Sequence, residues 1–207
     1  VHKSTTMMPP CYSFITIADD GEQRFMINPD TDYIDQFPLD YIKAHIMGRQ
    51  FGFVPFFMSS IHLGKENKDA IRKGTRSEFA LLLLHEIISW PQPDIDNETV
   101  NTVIKVNSDF NLGAKDVIFY PYWGKDSVIK TDSDTIKVSL WKRPRRILAV
   151  VANLGEQKET KIKIDFDKLK FTPKNIKDYE SNEVLLLKNG YLNLNIPRHD
   201  FRLIWIE

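Results

Sequence analysis

The chain has 207 residues, enough to bury a real core and to hold two small domains. Lys plus Arg and Asp plus Glu number 28 each, so the formal net charge is zero and there is no basic footprint for nucleic acid. The single cysteine, Cys11, excludes an internal disulfide framework and a Cys-based zinc site, and no apolar run approaches the ~18 residues that span a membrane.

Val1-His2-Lys3 reads as the end of a strand caught mid-domain. With no initiator Met and no leader pattern, the chain is expected to be a piece of something longer. Residues 12–17 (YSFITI) form a buried-strand candidate, broken by the acidic turn Asp19-Asp20-Gly21-Glu22. Pro38 suits a helical first turn and Asp40 the positive end of its dipole, which predicts a helix to about Met47, stopped by Gly48. Residues 51–59 (FGFVPFFMS) are an apolar strand in which Pro55 marks an edge, a bulge or a strand end. His62-Leu63-Gly64 opens a polar loop. The strongest helix signal covers residues 77–88, with Phe79, Leu82, Leu83 and Ile87 on one face and Trp90-Pro91 as its stop. Asp96 or Asn97 can cap a second helix running to Phe110 through Val100, Val103, Ile104 and Val106. Residues 116–123 (DVIFYPYW) are another strand. Strands and helices alternating with long connections spell parallel βα units, enough for roughly the last third of an eight-stranded barrel.

From about Asp126 the period changes to two. Ile136, Val138 and Leu140 alternate with polar residues, as do Ile162, Ile164 and Phe166, and again Leu192, Leu194 and Ile196. This is the pattern of antiparallel sheet with one wet face. Residues 147–151 are apolar throughout and predict a central strand, and Asn189-Gly190 predicts a hairpin turn. Lys142, Arg143, Arg145 and Arg146 around Pro144 read as a charged, solvated turn. Six or seven such strands make a β-sandwich. The expected fold is therefore α/β plus all-β: the C-terminal portion of a (β/α)8 TIM-type barrel over residues 1–130, followed by an antiparallel β-sandwich over residues 131–207.

The segment VSLWKRPRRILAVVANLG, residues 138–155, resembles the start of the C-terminal β-domain of barrel glycoside hydrolases. The wider order of motifs is similar to glycoside hydrolase family 123 of the Bacteroidetes type. It is carried by His2, Asp20-Gly21-Glu22, Pro38-Leu39-Asp40-Tyr41, Gly48-Arg49-Gln50-Phe51-Gly52, Phe119-Tyr120-Pro121-Tyr122-Trp123 and Ile196-Pro197-Arg198-His199-Asp200-Phe201-Arg202. The resemblance implies hydrolysis of glycosidic bonds in a carbohydrate, a bacterial protein that is periplasmic or secreted, and a further N-terminal part of the same protein as partner. It also implies a substrate-assisted mechanism with an adjacent Asp-Glu pair, and this chain contains no such dipeptide.

Barrel enzymes place their chemistry at the carboxyl ends of strands. Glu22 and Asp20 follow the first strand and are the candidate catalytic carboxyl groups, since glycoside hydrolysis uses a proton donor and a base or nucleophile. Asp-Asp-Gly-Glu is equally the composition of a solvated turn. His2, His62, Tyr120 and Trp123 are the candidate substrate-binding residues, the aromatic pair offering planes on which sugar rings stack or bulk for a domain seam. His85-Glu86 lacks the second histidine of a zinc-protease motif, because position 89 is Ser. No metal and no cofactor is expected. The competing readings are a non-catalytic carbohydrate-binding or structural module, and a degenerate barrel that has lost catalysis.

Overall fold

The computed structural model describes residues 17–20, 31–46, 54–58, 61, 63–64, 66–90, 94–125 and 127–207. The chain divides into two compact units, Val1–Val100 and Asn101–Glu207. The division falls inside a helix.

The first unit contains β1 (Ile17–Asp20), α1 (Tyr33–Gln36), α2 (Leu39–Tyr41) continued by a π-helical turn over Ile42–Ile46, β2 (Val54–Met58), α3 (Lys68–Leu84), β3 (Ile88–Trp90) and the start of α4 (Asn97–Phe110). Its three described strands form a parallel sheet in the order β1-β2-β3. Pro55 is tolerated within the middle strand because only β1 pairs with it: β3 begins its pairing one residue later, at Phe56. Asp32 caps α1 by accepting from the N–H groups of Ile34 and Asp35, and Asp35 returns the favour by accepting from the Asp32 N–H, a reciprocal capping box.

Helix α3 starts well before the predicted 77–88 segment and stops at Leu84. Its first half is polar and carries no apolar period, whereas Phe79 to Leu84 are all buried. The left-handed backbone of Glu86 (φ 57°) turns the chain away from the helix, so that residues 88–90 become a strand rather than the helix end. Polar side chains within the buried stretch tie α3 to its surroundings. Ser77 Oγ accepts from the Tyr33 N–H at 3.2 Å, Thr75 Oγ1 from the Asp96 N–H at 2.9 Å, and Glu78 Oε1 from the Ser89 hydroxyl at 3.0 Å. Each such bond answers a polar group that would otherwise be costly to bury.

His85 closes α3 with its side chain buried, its Nδ1–H donating to the Leu81 carbonyl at 2.7 Å. Burial pushes its pKa down to about 4, against that hydrogen bond, with the charge of Lys43 adding a smaller push in the same direction. The unfolded chain, with an ordinary histidine near 6.5, therefore binds more protons than the folded one between these two values. Stability from this group is complete above pH 6.5 and is lost as pH falls toward 4. Urea unfolding at pH 5 is expected to show about 2 kcal/mol less stability from this source than at pH 7. His85→Leu should flatten that part of the pH dependence, and an unchanged slope in this variant would refute the assignment.

The second unit carries the rest of α4 and eight strands: β4 (Ile118–Tyr120), β5 (Ile129–Thr131), β6 (Ile136–Arg143), β7 (Arg146–Asn153), β8 (Lys158–Ile164), β9 (Ile176–Asp178), β10 (Leu192–Ile196) and β11 (Phe201–Ile206). They form a five-stranded sheet, β4-β6-β7-β11-β9, and a three-stranded sheet, β10-β8-β5, antiparallel throughout. The alternating apolar positions do what their period requires. Ile136, Val138 and Leu140 of β6, Ile147, Ala149 and Val151 of β7, and Ile204 and Ile206 of β11 share one core with Ile162, Ile164, Leu192, Leu194 and Ile196 of the smaller sheet. The intervening residues of the larger sheet, among them Ser139, Trp141, Leu148, Val150, Leu203 and Trp205, are buried too. This is why residues 147–151 read as apolar throughout. The strand expected at residues 116–123 shrinks to the three residues of β4, and it is an antiparallel edge beside β6 rather than a further parallel strand.

Asp96 is the cap of α4, its Oδ2 accepting from the N–H (3.0 Å) and hydroxyl (2.6 Å) of Thr99. The helix ends where Asn111 turns left-handed (φ 57°). The basic β6–β7 turn is not simply solvated. Arg143 donates to the Phe110 carbonyl at 3.0 Å and to both Asp116 oxygens, and Arg146 donates to the Asp109 carbonyl at 2.9 Å. Two guanidinium groups thus satisfy carbonyls that a helix end leaves open, at the negative end of its dipole. Asp178 is buried and serves two elements: its Oδ1 accepts from Ser181 and its Oδ2 from Arg202 Nε at 2.8 Å. For Arg202, burial works against the charge, but the bonds to Glu183 and Asp178 outweigh it and raise the guanidinium pKa.

Candidate functional site

In the first unit the parallel sheet is two-sided. Phe57 of β2 is buried and meets the rings of Tyr33 at 5.3 Å and Phe37 at 5.4 Å, both edge-on, from the helical side. Ser89, its neighbour in register on β3, points the same way and bonds Glu78 of α3. Alternation then sends Phe56, Met58, Ile88 and Trp90 to the opposite face. On that face Ile88 is 57% exposed and Trp90 is 54% exposed, with the Phe56 ring 5.2 Å from the indole. The carboxyl ends of the strands are level: Asp20 pairs with Phe57, and Met58 with Trp90. Asp20 and Trp90 therefore stand one register step apart at the strand-end edge of one parallel sheet, and the exposed indole belongs to its apolar face.

Asp20 is the last residue of β1, within the strand rather than in the acidic turn expected after residues 12–17. Glu22, His2 and His62 lie outside the described residues. Trp90 is the residue that reading the sequence passes over, because Trp90-Pro91 serves there as a helix stop. Its signal is a tryptophan placed directly before a strand-terminating proline.

Tyr120 and Trp123 lie in the second unit, at the end of β4 and in the turn after it. Tyr120 is partly buried against the two-sheet core. Trp123 meets the Tyr122 ring edge-on at 4.8 Å and the Phe119 ring at 6.1 Å, and Phe119 in turn lies over Trp141 at 5.1 Å. The Tyr122 N–H donates to Ser139 Oγ, and Lys137 Nζ sits 5.8 Å from the Tyr122 ring. These contacts fix the turn and leave Trp123 with intermediate exposure, a rigid and partly open aromatic surface.

The family-model match falls almost entirely on the second unit. Residues 99–185 match the family model described as Glycoside hydrolase 123, C-terminal domain. The resemblance to family 123 is borne out over this stretch. No curated protein sequence matches the chain. Among solved structures, a noncanonic maltogenic alpha-amylase, AmyB from Thermotoga neapolitana, is similar with TM-score 0.50 and 12% identity over 95% of this chain and 52% of that one. A GH27 β-L-arabinopyranosidase from Geobacillus stearothermophilus is similar with TM-score 0.57 and 11% identity over 93% of this chain and 45% of that one. The chain thus spans about half the length of these glycoside hydrolases. At such identity the likeness is one of fold: a mixed helix and sheet structure dominated by antiparallel sheets.

Proposed function

We propose that this chain is the C-terminal portion of a glycoside hydrolase, comprising the end of a (β/α)8 catalytic barrel followed in sequence by a β-sandwich. The match of residues 99–185 to the family 123 C-terminal domain carries the reading. The first unit supports it. Three parallel strands with helices against one face and exposed Ile88 and Trp90 on the other are what a segment of barrel wall presents when the remaining strands come from elsewhere. Those strands are assigned to a preceding part of the same protein, in a bacterium that exports it to the periplasm or medium.

The reaction is hydrolysis of a glycosidic bond in an oligosaccharide or polysaccharide. Glu22 is the proposed proton-donating or accepting carboxyl group, with Asp20 beside it at the end of β1. Gly21 stands between them in the sequence, a residue type that tolerates sharp backbone turns. His2 and His62 are assigned to sugar hydroxyl groups, and Tyr120 and Trp123 to stacking. Trp90 joins them as a sugar platform, since its exposed indole stands level with the other strand ends. The intact protein, offered a broad panel of glycans and aryl glycosides, is expected to release product from one sugar class. Silence across the panel from folded protein would overturn the catalytic reading and leave a carbohydrate-binding or structural role.

A further inference from the structure

The chain is neutral overall, yet the solvent face of the three-stranded sheet is not. A groove of about 740 Å³ runs across it, walled by Lys130 and Asp132 on β5 and just after it, Lys161 on β8, and Lys188 and Tyr191 at the hairpin into β10. The hairpin is built to hold its position. Asn189 (φ 53°) and Gly190 (φ 80°) are both left-handed, and the Lys188 and Tyr191 backbones exchange two hydrogen bonds across the turn. This is the type I′ geometry that Asn-Gly favours. It places an exposed Tyr191 ring at the rim, with the side chains of Asn189 and Asn193 beside it.

The lysines on this face, Lys130, Lys161 and Lys188 lining the groove and Lys163 opposite Lys130 beside it, are arranged against stability. Lys130 on β5 is directly opposite Lys163 on β8 in register, and Lys161 is the next residue on the same face of β8. Like charges directly opposite across an antiparallel pair repel. None of the side-chain ammonium groups of Lys130, Lys161, Lys163 and Lys188 has an ion pair among the described residues; Lys163 instead sits 5.8 Å from the Tyr191 ring. The one carboxylate in the lining, Asp132, is engaged by its own sheet: Oδ1 accepts from Thr160 Oγ1 at 2.7 Å and from the Lys161 N–H at 3.1 Å. Glu159, further along β8 on the same face, stands opposite Asn195 and outside the groove. A cluster of lysines with no ion pair among the described residues, held next to an aromatic plane and two carboxamides, is an electrostatic cost that an anionic ligand would remove.

We propose that this face binds an acidic polysaccharide, with a carboxylate or sulfate group between Lys130 and Lys163, the sugar ring against Tyr191, and neighbouring hydroxyl groups on Asn189 and Asn193. The anionic character follows from the lysines alone. That the anion is carried by a sugar rests on the glycoside hydrolase reading. The site belongs to the β-unit and contains none of the proposed catalytic residues. A carboxamide both donates and accepts hydrogen bonds and so suits hydroxyl groups.

The test is affinity electrophoresis of the full chain in gels containing polygalacturonate, dextran sulfate, neutral dextran or double-stranded DNA, at low and high salt. Retardation by polygalacturonate or dextran sulfate, weakened by salt and absent in neutral dextran, is expected; which of the two retards more identifies carboxylate or sulfate. The double variant Lys130→Ala/Lys163→Ala should weaken binding by about tenfold or more, as loss of charge-assisted contacts does. Its thermal midpoint should be equal to or above that of the parent, because the opposed charges are gone. Tyr191→Ala should weaken binding by roughly threefold to tenfold. No retardation by either acidic glycan, unchanged retardation in the double variant, or equal retardation by DNA would each overturn the proposal. Because the readout is binding and the probes need not be substrates, failure here leaves the hydrolase reading to its own panel of glycosides.

Discussion

Trp141→Ala is expected to destabilise the second unit by about 3–5 kcal/mol, the range for truncating a large buried aromatic residue. The indole is 1% exposed and sits in the middle of β6, on the face of the large sheet turned away from the small one. Its neighbours in register are Phe119 on β4 and Leu148 on β7, and the Phe119 ring lies at 5.1 Å. Backbone pairing fixes both neighbours to β6, one on each side of it, so they cannot collapse into the space that alanine leaves. Urea unfolding of the full chain, followed by a signal of the β-unit, gives the value. Trp141→Phe, which keeps a ring there, should cost less than half as much. A loss under about 1 kcal/mol for the alanine variant would mean that the site relaxes freely, contrary to the packing described.

The second large effect concerns the proposed carboxyl group. In the intact protein Glu22→Gln is expected to lower kcat by about 10²- to 10⁴-fold, the usual contribution of a positioned acid or base, with little change in KM. Glutamine keeps the shape and the hydrogen bonds but can neither give nor take the proton. Asp20→Asn, tested beside it, separates the roles of the two residues. Full activity of Glu22→Gln would remove Glu22 from the mechanism and direct attention to carboxyl groups elsewhere in the protein.

The antiparallel half was legible because its signals are local. Alternation at β6, β8 and β10 names the inward residues directly, and Asn189-Gly190 names a turn by the backbone angles it accepts. β4 was harder. An apolar, aromatic run says strand but carries no direction, and its antiparallel pairing is set by β6, some twenty residues later. β3 was hidden for a different reason. Ile87 and Ile88 continue the apolar spacing of α3, and only the left-handed turn at Glu86 interrupts it. The role of Arg143 and Arg146 as caps of α4 was equally unreadable, because it depends on the helix end lying next to the hairpin in space. At the candidate site, Asp20 reads from the sequence as part of a turn and stands instead as the last residue of β1, and Trp90 emerged only once residues 88–90 were known to be a strand.

The position of β11 bears on how the protein can be made. In the large sheet it separates β7 from β9, although it follows β7 by nearly fifty residues and comes after every other strand of the unit. On the ribosome, β6 and β7 can pair as soon as both emerge, since they are joined by a tight hairpin. β9 is then held only by its local bonds to residues 183–185, because its ladder in the large sheet is formed with β11 alone. The shared core stays open along β7 until Phe201–Ile206 has left the exit tunnel, and its closure pays for a long loop at the last step. During translation the apolar edge of β7 is therefore exposed for the time it takes to synthesise that loop. Ribosomes stalled before residue 201 should hold a nascent chain that chaperones bind and proteases cut, and ribosomes stalled well past residue 207 should hold one that resists both.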